Sequence, residues 1–509
     1  MKISSYWLVF AGCALGWLIL YLLIAPSMNG TDVFIFRDAG WNLASSGSFE
    51  SAALMYMRDL TPRLYSHYTP MMPLLFAGYA SVFPRNAYAG TIFNLLLGLL
   101  AAAVALFWVL RQPESRLRNA VALAIAVLPV VFITYDRPEA LALVLFCVTI
   151  GAATASGSQP AVVGLFIALT FLAHPFVAVT AAIWASALVL SRNWSRSTRW
   201  MLTLRQIAIM GASAIAPLIL VAWLFYSLDH DSLRRFAAHA LGFNSGLGVL
   251  ASSQSHLTFR QALYKASLAE GFLGAERYLL ALASFLAIAA WSFSRRKLLH
   301  TPERLSIAAA LCCVAITVVL FPAQGNYVVF LAFAIPLGLL IAHCNQGYRA
   351  GPALALLLLA ALIQIPACGL SLLERIEQRA SFHAAQNQPA YLLANLPSPD
   401  SIVAVEGGNY DFFKPRLHHL IELDNAQGVK DYGGLAAVVN CYEAFHGADQ
   451  AVRPLPPSLN ASEFQLIQAA PQHMWVTLLR HRAMRGQWGY GCDLYVRKNG
   501  ADIAVKPRS

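Results

Sequence analysis

Long apolar runs alternate with short polar connectors through the first three quarters of the chain. A membrane-spanning helix takes about 20 apolar residues, and eleven segments come close to that length. The segment 68–84 is also apolar, but its short length and early prolines predict a helix lying in the outer membrane interface. The pattern therefore predicts a polytopic α-helical membrane protein. The candidate spans are residues 5–25, 87–110, 119–135, 139–155, 160–174, 176–191, 206–228, 277–294, 304–321, 326–343 and 350–372.

The connectors between these spans differ in positive charge. Lysine and arginine in short loops mark the cytoplasmic side of a membrane protein. With the N-terminus placed in the cytoplasm, the other set of short connectors holds a single arginine, Arg137. Two large loops, 26–86 and 229–276, then face away from the cytoplasm. The basic residues that fall on the cytoplasmic side are Lys2, Arg111, Arg116, Arg118, Arg192, Arg196, Arg199, Arg205, Arg295, Arg296, Lys297, Arg304 and Arg349.

The two ends of the chain carry different signals. Residues 2–25 lack a small-residue cleavage pattern, which predicts a retained first helix rather than a cleaved signal. Residues 373–509 are polar and contain strand-like runs at 402–405, 474–479 and 493–497, separated by glycines and prolines. The pattern predicts a membrane module over 1–372, of about eleven helices, followed by a small α/β domain outside the cytoplasm.

Composition agrees with this division. The 509 residues are 58% hydrophobic and 12% charged, with a mean hydropathy of +0.57, whereas soluble domains average about a quarter charged residues. The net charge of +11 would suggest nucleic acid in a soluble protein, but here it sits in loops beside the spans. An anionic lipid surface is therefore the expected partner, and nucleic acid is not. Cys441 and Cys492 are the tail's only cysteines, and a bridge or two free thiols fit the sequence equally.

Ionisable residues at membrane depth are costly, so those at span ends are candidates for function. Asp32 closely follows the first span and begins a segment with helical spacing of apolar residues. A catalytic carboxylate is the favoured interpretation, with a helix N-cap as the alternative. Asp38, six residues later, is a weaker candidate of the same kind.

Other charged groups gather at the outer ends of the spans. Asp136, Arg137 and Glu139 lie between two apolar runs without a spacer, whereas a plain turn needs only Gly, Asn, Pro or Ser. They predict a bound polar or anionic ligand, with a solvated turn as the alternative. His174 precedes a proline at another outer junction, where a packed histidine is favoured over a ligand contact. The basic residues of the second loop that could meet a phosphate, or simply face water, are Arg234, Arg235, His239, Arg260 and Lys265.

The order of these features resembles the GT-C glycosyltransferases. An early aspartate, an interfacial helix ending at Ser46-Gly47 and the stretch His67-Tyr68-Thr69-Pro70 follow the first span in turn. More narrowly, it resembles the branch with protein O-mannosyltransferases and the lipid A aminoarabinose and galacturonic acid transferases, in which the turn Arg137-Pro138-Glu139 also has a counterpart. The resemblance covers residues 5–195 well and the remainder in outline. Two departures are Val33, where some relatives have a second acid, and Met71, where they have a second proline.

The resemblance implies an inverting transfer of a hexose or pentose from a polyprenyl-phosphate carrier to a hydroxyl of a glycan, lipid A or protein. It places this reaction on the periplasmic face of a bacterial inner membrane. Asp32 would be the base or orient the acceptor, and Arg137, held by Glu139, would stabilise the donor phosphate with a cation of the second loop. His67, Tyr68 and His174 would contact sugar or phosphate. Some family members use a divalent cation such as Mg²⁺ or Mn²⁺; the sequence has no ligand cluster, so we expect no metal.

Three other classes of protein fit parts of the pattern. A polytopic transporter would place its charges near the membrane midplane and show repeated halves, which this sequence does not. An O-antigen ligase or polymerase would rely on arginines of the second loop instead of an early aspartate. A membrane scaffold is the third alternative.

Overall fold

The protein is described by a computed structural model in which the chain divides into two units. The first consists of Met1–Trp17, Leu95–Thr134 and Pro138–Cys368, and the second of Leu18–Asn94, Tyr135–Arg137 and Gly369–Ser509. The structure describes residues 3–26, 36–51, 63–65, 69–133, 137–155, 159–194, 198–237, 283, 286–294, 301–320, 325–344, 350–405, 409–423, 434–443, 455, 459–469 and 488–498.

Helices occur at each of the eleven predicted spans. The apolar runs fold as α1 (Ile3–Leu23), α4 (Ala89–Leu110), α5 (Arg116–Val127), α6 (Glu139–Thr154), α7 (Pro160–Ala173), α8 (Pro175–Asn193), α9 (Arg199–Leu228), α11 (Thr301–Leu320), α12 (Gly325–Cys344) and α13 (Gly351–Glu377), with 286–294 helical in the remaining one. Within the described residues, α1, α4, α8, α9 and α13 are long and apolar enough to cross a membrane. They support a membrane protein, whereas a count of about eleven crossings stays a prediction.

Close helix packing in the first unit depends on small residues. A side chain at Gly338 of α12 would meet the Trp184 ring of α8 at 2.8 Å, and one at Gly164 of α7 would collide with the Met210 carbonyl oxygen of α9. Such close approach through glycine is typical of helices that associate in a bilayer, where tight packing replaces the hydrophobic effect.

The second unit begins at the end of α1, where a buried arginine holds the chain. Arg375 of α13 donates from Nε to the Ala25 carbonyl at 2.7 Å and from Nη2 to the Tyr21 carbonyl at 3.2 Å. A cation at the C-terminal end of a helix satisfies its last carbonyl groups and complements its dipole. The first loop therefore starts from a fixed position.

The described part of the first loop contains α2 (Asp38–Ser46), β1 (Glu50–Ser51), β2 (Arg63–Leu64) and α3 (Met71–Val82). The helix α2 ends at Gly47, whose φ of 76° is a left-handed conformation that favours glycine. Helix α3 confirms a short helix within 68–84, and it packs on α2 so closely that a side chain at Gly40 would meet the Pro73 carbonyl oxygen at 2.5 Å.

A five-stranded mixed sheet forms in the polar tail. The strands are β3 (Ile402–Val405), β4 (Leu420–Glu422), β5 (Leu435–Glu443), β6 (Phe464–Gln468) and β7 (Trp488–Arg497), in the order β4-β3-β5-β7-β6. The pairs formed by β3 are parallel, and those formed by β7 are antiparallel. The strands predicted at 402–405 and 493–497 are confirmed, and 474–479 lies outside the described residues. An independent domain over 373–509 stays a prediction.

Three helices complete the described part of the tail: α14 (Arg379–Ala385), α15 (Gln388–Ala394) and α16 (Tyr410–Phe413). Gln388 of α15 donates from its amide to the Cys492 carbonyl at 2.8 Å and accepts from the Cys492 amide at 3.2 Å. Cys492 is disulfide-bonded, and the residue directly opposite it across the β5–β7 ladder is Cys441.

Candidate functional site

Five charged or phenolic side chains of the second unit meet in a buried ionic cluster. Arg37 and Asp38 come from the first loop, at the start of α2, and Tyr410, Asp411 and Lys414 come from α16 and the residue after it. All five are buried, with exposures from 0% to 7%. Residues some 370 positions apart in sequence therefore share one site.

Two ion pairs with opposite polarity join the loop to the tail. The Arg37 Nη2 atom lies 2.6 Å from Asp411 Oδ2, and Lys414 Nζ lies 3.2 Å from Asp38 Oδ1. Tyr410 donates its hydroxyl hydrogen to Asp38 Oδ1 as well. The loop supplies one cation and one anion, and the tail supplies the opposite charge for each of them. The cluster is thus neutral as a set, which a buried group of charges requires.

Helical spacing explains how neighbouring residues complete the cluster. Asp38, Trp41 and Asn42 lie on one side of α2 at spacings of three and four residues. The Trp41 indole donates to Asp411 Oδ1 at 3.2 Å, and Asn42 Oδ1 accepts from Lys414 Nζ at 2.6 Å. Every one of these bonds runs between the helix of the first loop and the α16 region of the tail.

The hydrogen bonds to Asp38 indicate a structural role for this residue. Its Oδ2 accepts from the Ser51 hydroxyl at 2.9 Å, while Oδ1 accepts from Tyr410 and Lys414. Burial, followed by the charge of Asp38, raises the pKa of Tyr410 well above its usual value, so this phenol remains a donor. A carboxylate with both oxygens engaged and 0% exposure is poorly placed to accept a proton from a substrate. We therefore interpret Asp38 as a residue that positions α2.

A glycine allows the start of α4 to approach the cluster. A side chain at Gly90 would collide with Asp411 Oδ2 and with the Arg37 guanidinium. The requirement for glycine here comes from the space that the ion pair occupies and involves no unusual backbone angle.

Several of the candidate residues lie outside the described residues: Asp32, His67, Tyr68, Asp136, His239, Arg260 and Lys265. Arg137, in the second unit, is half-buried. In the second loop, Arg235 of α10 (His230–Ala237) forms an ion pair with Asp229, and Arg234 is exposed.

Two candidate residues of the first unit lie at the same end of its helices. Glu139 is the first residue of α6, and His174 joins α7 to α8; both are buried. At the opposite ends of α6 and α8, Arg192 donates to the Ala153 carbonyl at 3.2 Å. Glu139 and His174 are therefore at the end of this unit remote from Arg192, and the side of the membrane on which they lie stays a prediction.

Sequence reasoning missed Arg37, Tyr410, Asp411 and Lys414. The signal available was the pair of charges in the apolar context Phe36-Arg37-Asp38, and polar residues at helical spacing in Tyr410-Asp411-Phe412-Phe413-Lys414. Neither signal predicts that these two segments contact each other. Within the described residues, no group of three or more His, Cys, Asp or Glu is arranged to hold a metal ion.

The comparisons with known proteins gave structural matches alone. No family model matches the sequence, and no curated protein matches it. Two solved structures of the oligosaccharyltransferase from Archaeoglobus fulgidus are similar at 13% identity. The apo form has a TM-score of 0.45, covering 86% of this chain and 70% of the other. The AglB complex with an inhibitory peptide and a dolichol-phosphate has a TM-score of 0.44, covering 87% and 70%.

With TM-scores below 0.5 and 13% identity, these two similarities carry no argument about the family of the chain. At this level of similarity they assign neither a substrate nor a residue role to the chain.

Proposed function

We propose that the protein is an inverting glycosyltransferase, which moves a sugar from a polyprenyl-phosphate carrier to an acceptor hydroxyl outside the cytoplasm. The observation that carries the proposal is the buried ionic cluster. It fixes α2, which begins six residues after Asp32, against the α16 region of the tail. The motif order of the first loop supplies the second line of support.

The energetic cost of the cluster argues that the position of α2 matters for function. Removing a charge from water costs several kcal/mol even after relaxation, and an apolar pair of similar volume would stabilise a loop as well or better. A simple connector between spans needs no such arrangement. A reactive group, in contrast, must be held close to its productive geometry by neighbours with fixed positions.

The proposed reaction assigns a role to each candidate residue. The acceptor oxygen attacks the anomeric carbon, the carbon–oxygen bond to phosphate breaks, and the polyprenyl phosphate leaves with the bonding electrons. Asp32 takes the acceptor proton, and Arg137, oriented by Glu139, stabilises the phosphate. His174, His67 and Tyr68 contact sugar or phosphate, and no metal is required because a phosphate leaves without a strong acid.

The proposal includes a membrane topology of eleven crossings, with the N-terminus in the cytoplasm and the tail outside. The placement of Arg192 and Glu139 at opposite ends of the first unit supports it. A cysteine introduced in 113–117 should resist an impermeant thiol reagent in intact cells, while one near residue 400 should be labelled. The reverse labelling pattern would refute the sidedness.

The donor chemistry can be tested with purified protein in lipid vesicles. Incubation with a lipid extract from the source cells should convert a polyprenyl-phosphate sugar into free polyprenyl phosphate. Mass spectrometry of the lipids detects this conversion. Arg137→Ala should weaken donor binding more than Arg137→Lys does, because lysine keeps the charge that faces the phosphate. Equal effects of the two substitutions would show that Arg137 is structural.

A further inference from the structure

A polar cleft of about 250 Å³ lies beside the ionic cluster in the second unit. One wall is the C-terminal half of α2 and the start of β1, and the other is formed by Asp400, His418 and His419 of the tail. Lys414 lies between the cluster and the cleft, since its Nζ donates to Asn42 Oδ1 at 2.6 Å and to the His418 carbonyl at 2.6 Å. The full lining is Asn42, Ser45, Ser46, Ser48, Glu50, Arg85, Asp400, His418 and His419.

Three acidic or imidazole groups of the cleft are available to a ligand. Within the described residues, the Glu50 carboxylate and the His419 ring have no hydrogen-bond partner. His418 Nδ1 is 3.1 Å from Asp400 Oδ1, which leaves its Nε2 open. Burial and the nearby Lys414 lower the pKa of His419, so its imidazole is a neutral donor and acceptor at neutral pH.

The charges of the cleft disfavour an anionic ligand. Two carboxylates, Glu50 and Asp400, line it. The Arg85 guanidinium donates to the carbonyls of Ala44 and Ala80 and keeps its positive charge, but the two carboxylates outnumber it. A phosphate is therefore disfavoured by the excess of carboxylates over cations in the lining.

The same lining disfavours a peptide and favours a saccharide. No aliphatic residue and no Phe, Tyr or Trp belongs to the lining, whereas binding sites for peptides usually provide pockets for side chains. The hydroxyls of Ser45 and Ser46 donate to backbone carbonyls of α2; Ser46 Oγ also accepts from the Ser48 amide at 3.4 Å, and each oxygen retains acceptor capacity. Carboxylates, imidazoles and serines together supply the alternating donors and acceptors that a row of sugar hydroxyls can satisfy.

We propose that this cleft binds the acceptor and that the acceptor is a saccharide. The inference rests on the proposed function for its role in transfer, but saccharide binding itself does not depend on turnover. Glu50 accepts hydrogen bonds from sugar hydroxyls, His418 and His419 contact neighbouring hydroxyls, and Asp400 orients His418.

Saturation-transfer NMR on the full chain in detergent micelles tests the binding directly. The probes are methyl mannoside, methyl glucoside and methyl galactoside, with a serine- and threonine-containing peptide tested separately. The double variant Glu50→Gln/His418→Gln removes two cleft contacts, and Glu114→Gln is the matched control, because Glu114 is also exposed but lies outside the cleft. Thermal unfolding of each variant verifies that it is folded.

We expect transfer of saturation to at least one glycoside, reduced about tenfold or more in the double variant and unchanged in Glu114→Gln. Equal signals in wild type and the double variant, or no signal from any glycoside, would overturn the proposal. A signal from the peptide alone that depends on Glu50 would also overturn it. The protein could instead bind a glycoside through Glu50 and yet consume no lipid-linked sugar. That result would refute the proposed function but would still support saccharide binding in the cleft.

Discussion

Asp411→Asn removes the charge facing the Arg37 guanidinium while keeping an oxygen for the Trp41 indole. At the observed 2.6 Å, the attraction in this pair is about 6 kcal/mol for an effective dielectric constant of about 20. Desolvation of the two ions costs several kcal/mol each, so the intact pair contributes little net stability. The single substitution, however, breaks a buried ion pair by removing one partner, which costs about 3–5 kcal/mol.

Substitution of the other partner, Arg37, tests the same buried ion pair from its positive side. Arg37→Met also leaves a buried charge, on Asp411, and should destabilise the protein to a similar degree. The double variant Arg37→Met/Asp411→Asn has neither uncompensated charge, so we expect it to be more stable than either single variant. Thermal unfolding of the purified chain, followed by tryptophan fluorescence, gives the order of the four proteins.

The exposed His418–Asp400 pair provides a control, since its side chains are 58% and 67% accessible. Asp400→Asn should cost about 0–1 kcal/mol and leave the unfolding temperature almost unchanged. Single variants that melt with the wild type, or a double variant destabilised by the sum of the two, would refute the buried ion pair as described.

Three further predictions concern other parts of the second unit. Gly90→Ala should lower the unfolding temperature because its methyl group enters the space of the ion pair, whereas Gly78→Ala, with nothing within 4 Å, should be neutral or stabilising by about 0.5–1 kcal/mol; equal effects would contradict the packing. Cys492→Ser should abolish a linked peptide containing Cys441 in non-reducing peptide mapping and, from loop-closure entropy, cost up to about 4 kcal/mol; an unchanged peptide map would show that Cys492 is unpaired. The pKa of His419 is lowered from 6.5, so below pH 6.5 the unfolded chain binds a proton at this ring more readily than the folded chain, and stability falls as pH falls. Wild type should therefore lose more thermal stability than His419→Gln between about pH 7 and about pH 5. Equal losses in the two proteins would contradict the lowered pKa.

The apolar pattern was sufficient to locate the helices. Each predicted span contains helical residues because runs such as 89–110 and 351–377 leave the backbone no partner but itself in a membrane. The apolar pattern predicted the ends of the helices less accurately than their presence. The run 119–135, for example, ends its α-helix at Val127 and continues as a 3₁₀ turn from Pro129, since proline removes a backbone donor.

The ionic cluster could not be predicted in the same way. The partners of Arg37 and Asp38 are about 370 residues distant in sequence. Neither segment contains a pattern from which its contact with the other could be predicted. Asp38 was predicted as a weaker catalytic candidate from its position after the first span. Its burial and its bonds to Tyr410 and Lys414 depend on tertiary contacts alone.

Asp32→Asn in cells, with the variant confirmed to be folded, is the most direct test of the proposed sugar transfer. Mass spectrometry of the lipid-linked sugar pool and the envelope glycans reads the outcome. If Asp32 is the base, one sugar is lost from a glycan while its polyprenyl-phosphate donor accumulates, which would also identify both substrates. An unchanged glycan profile in the folded variant would contradict this role and remove Asp32 from the mechanism.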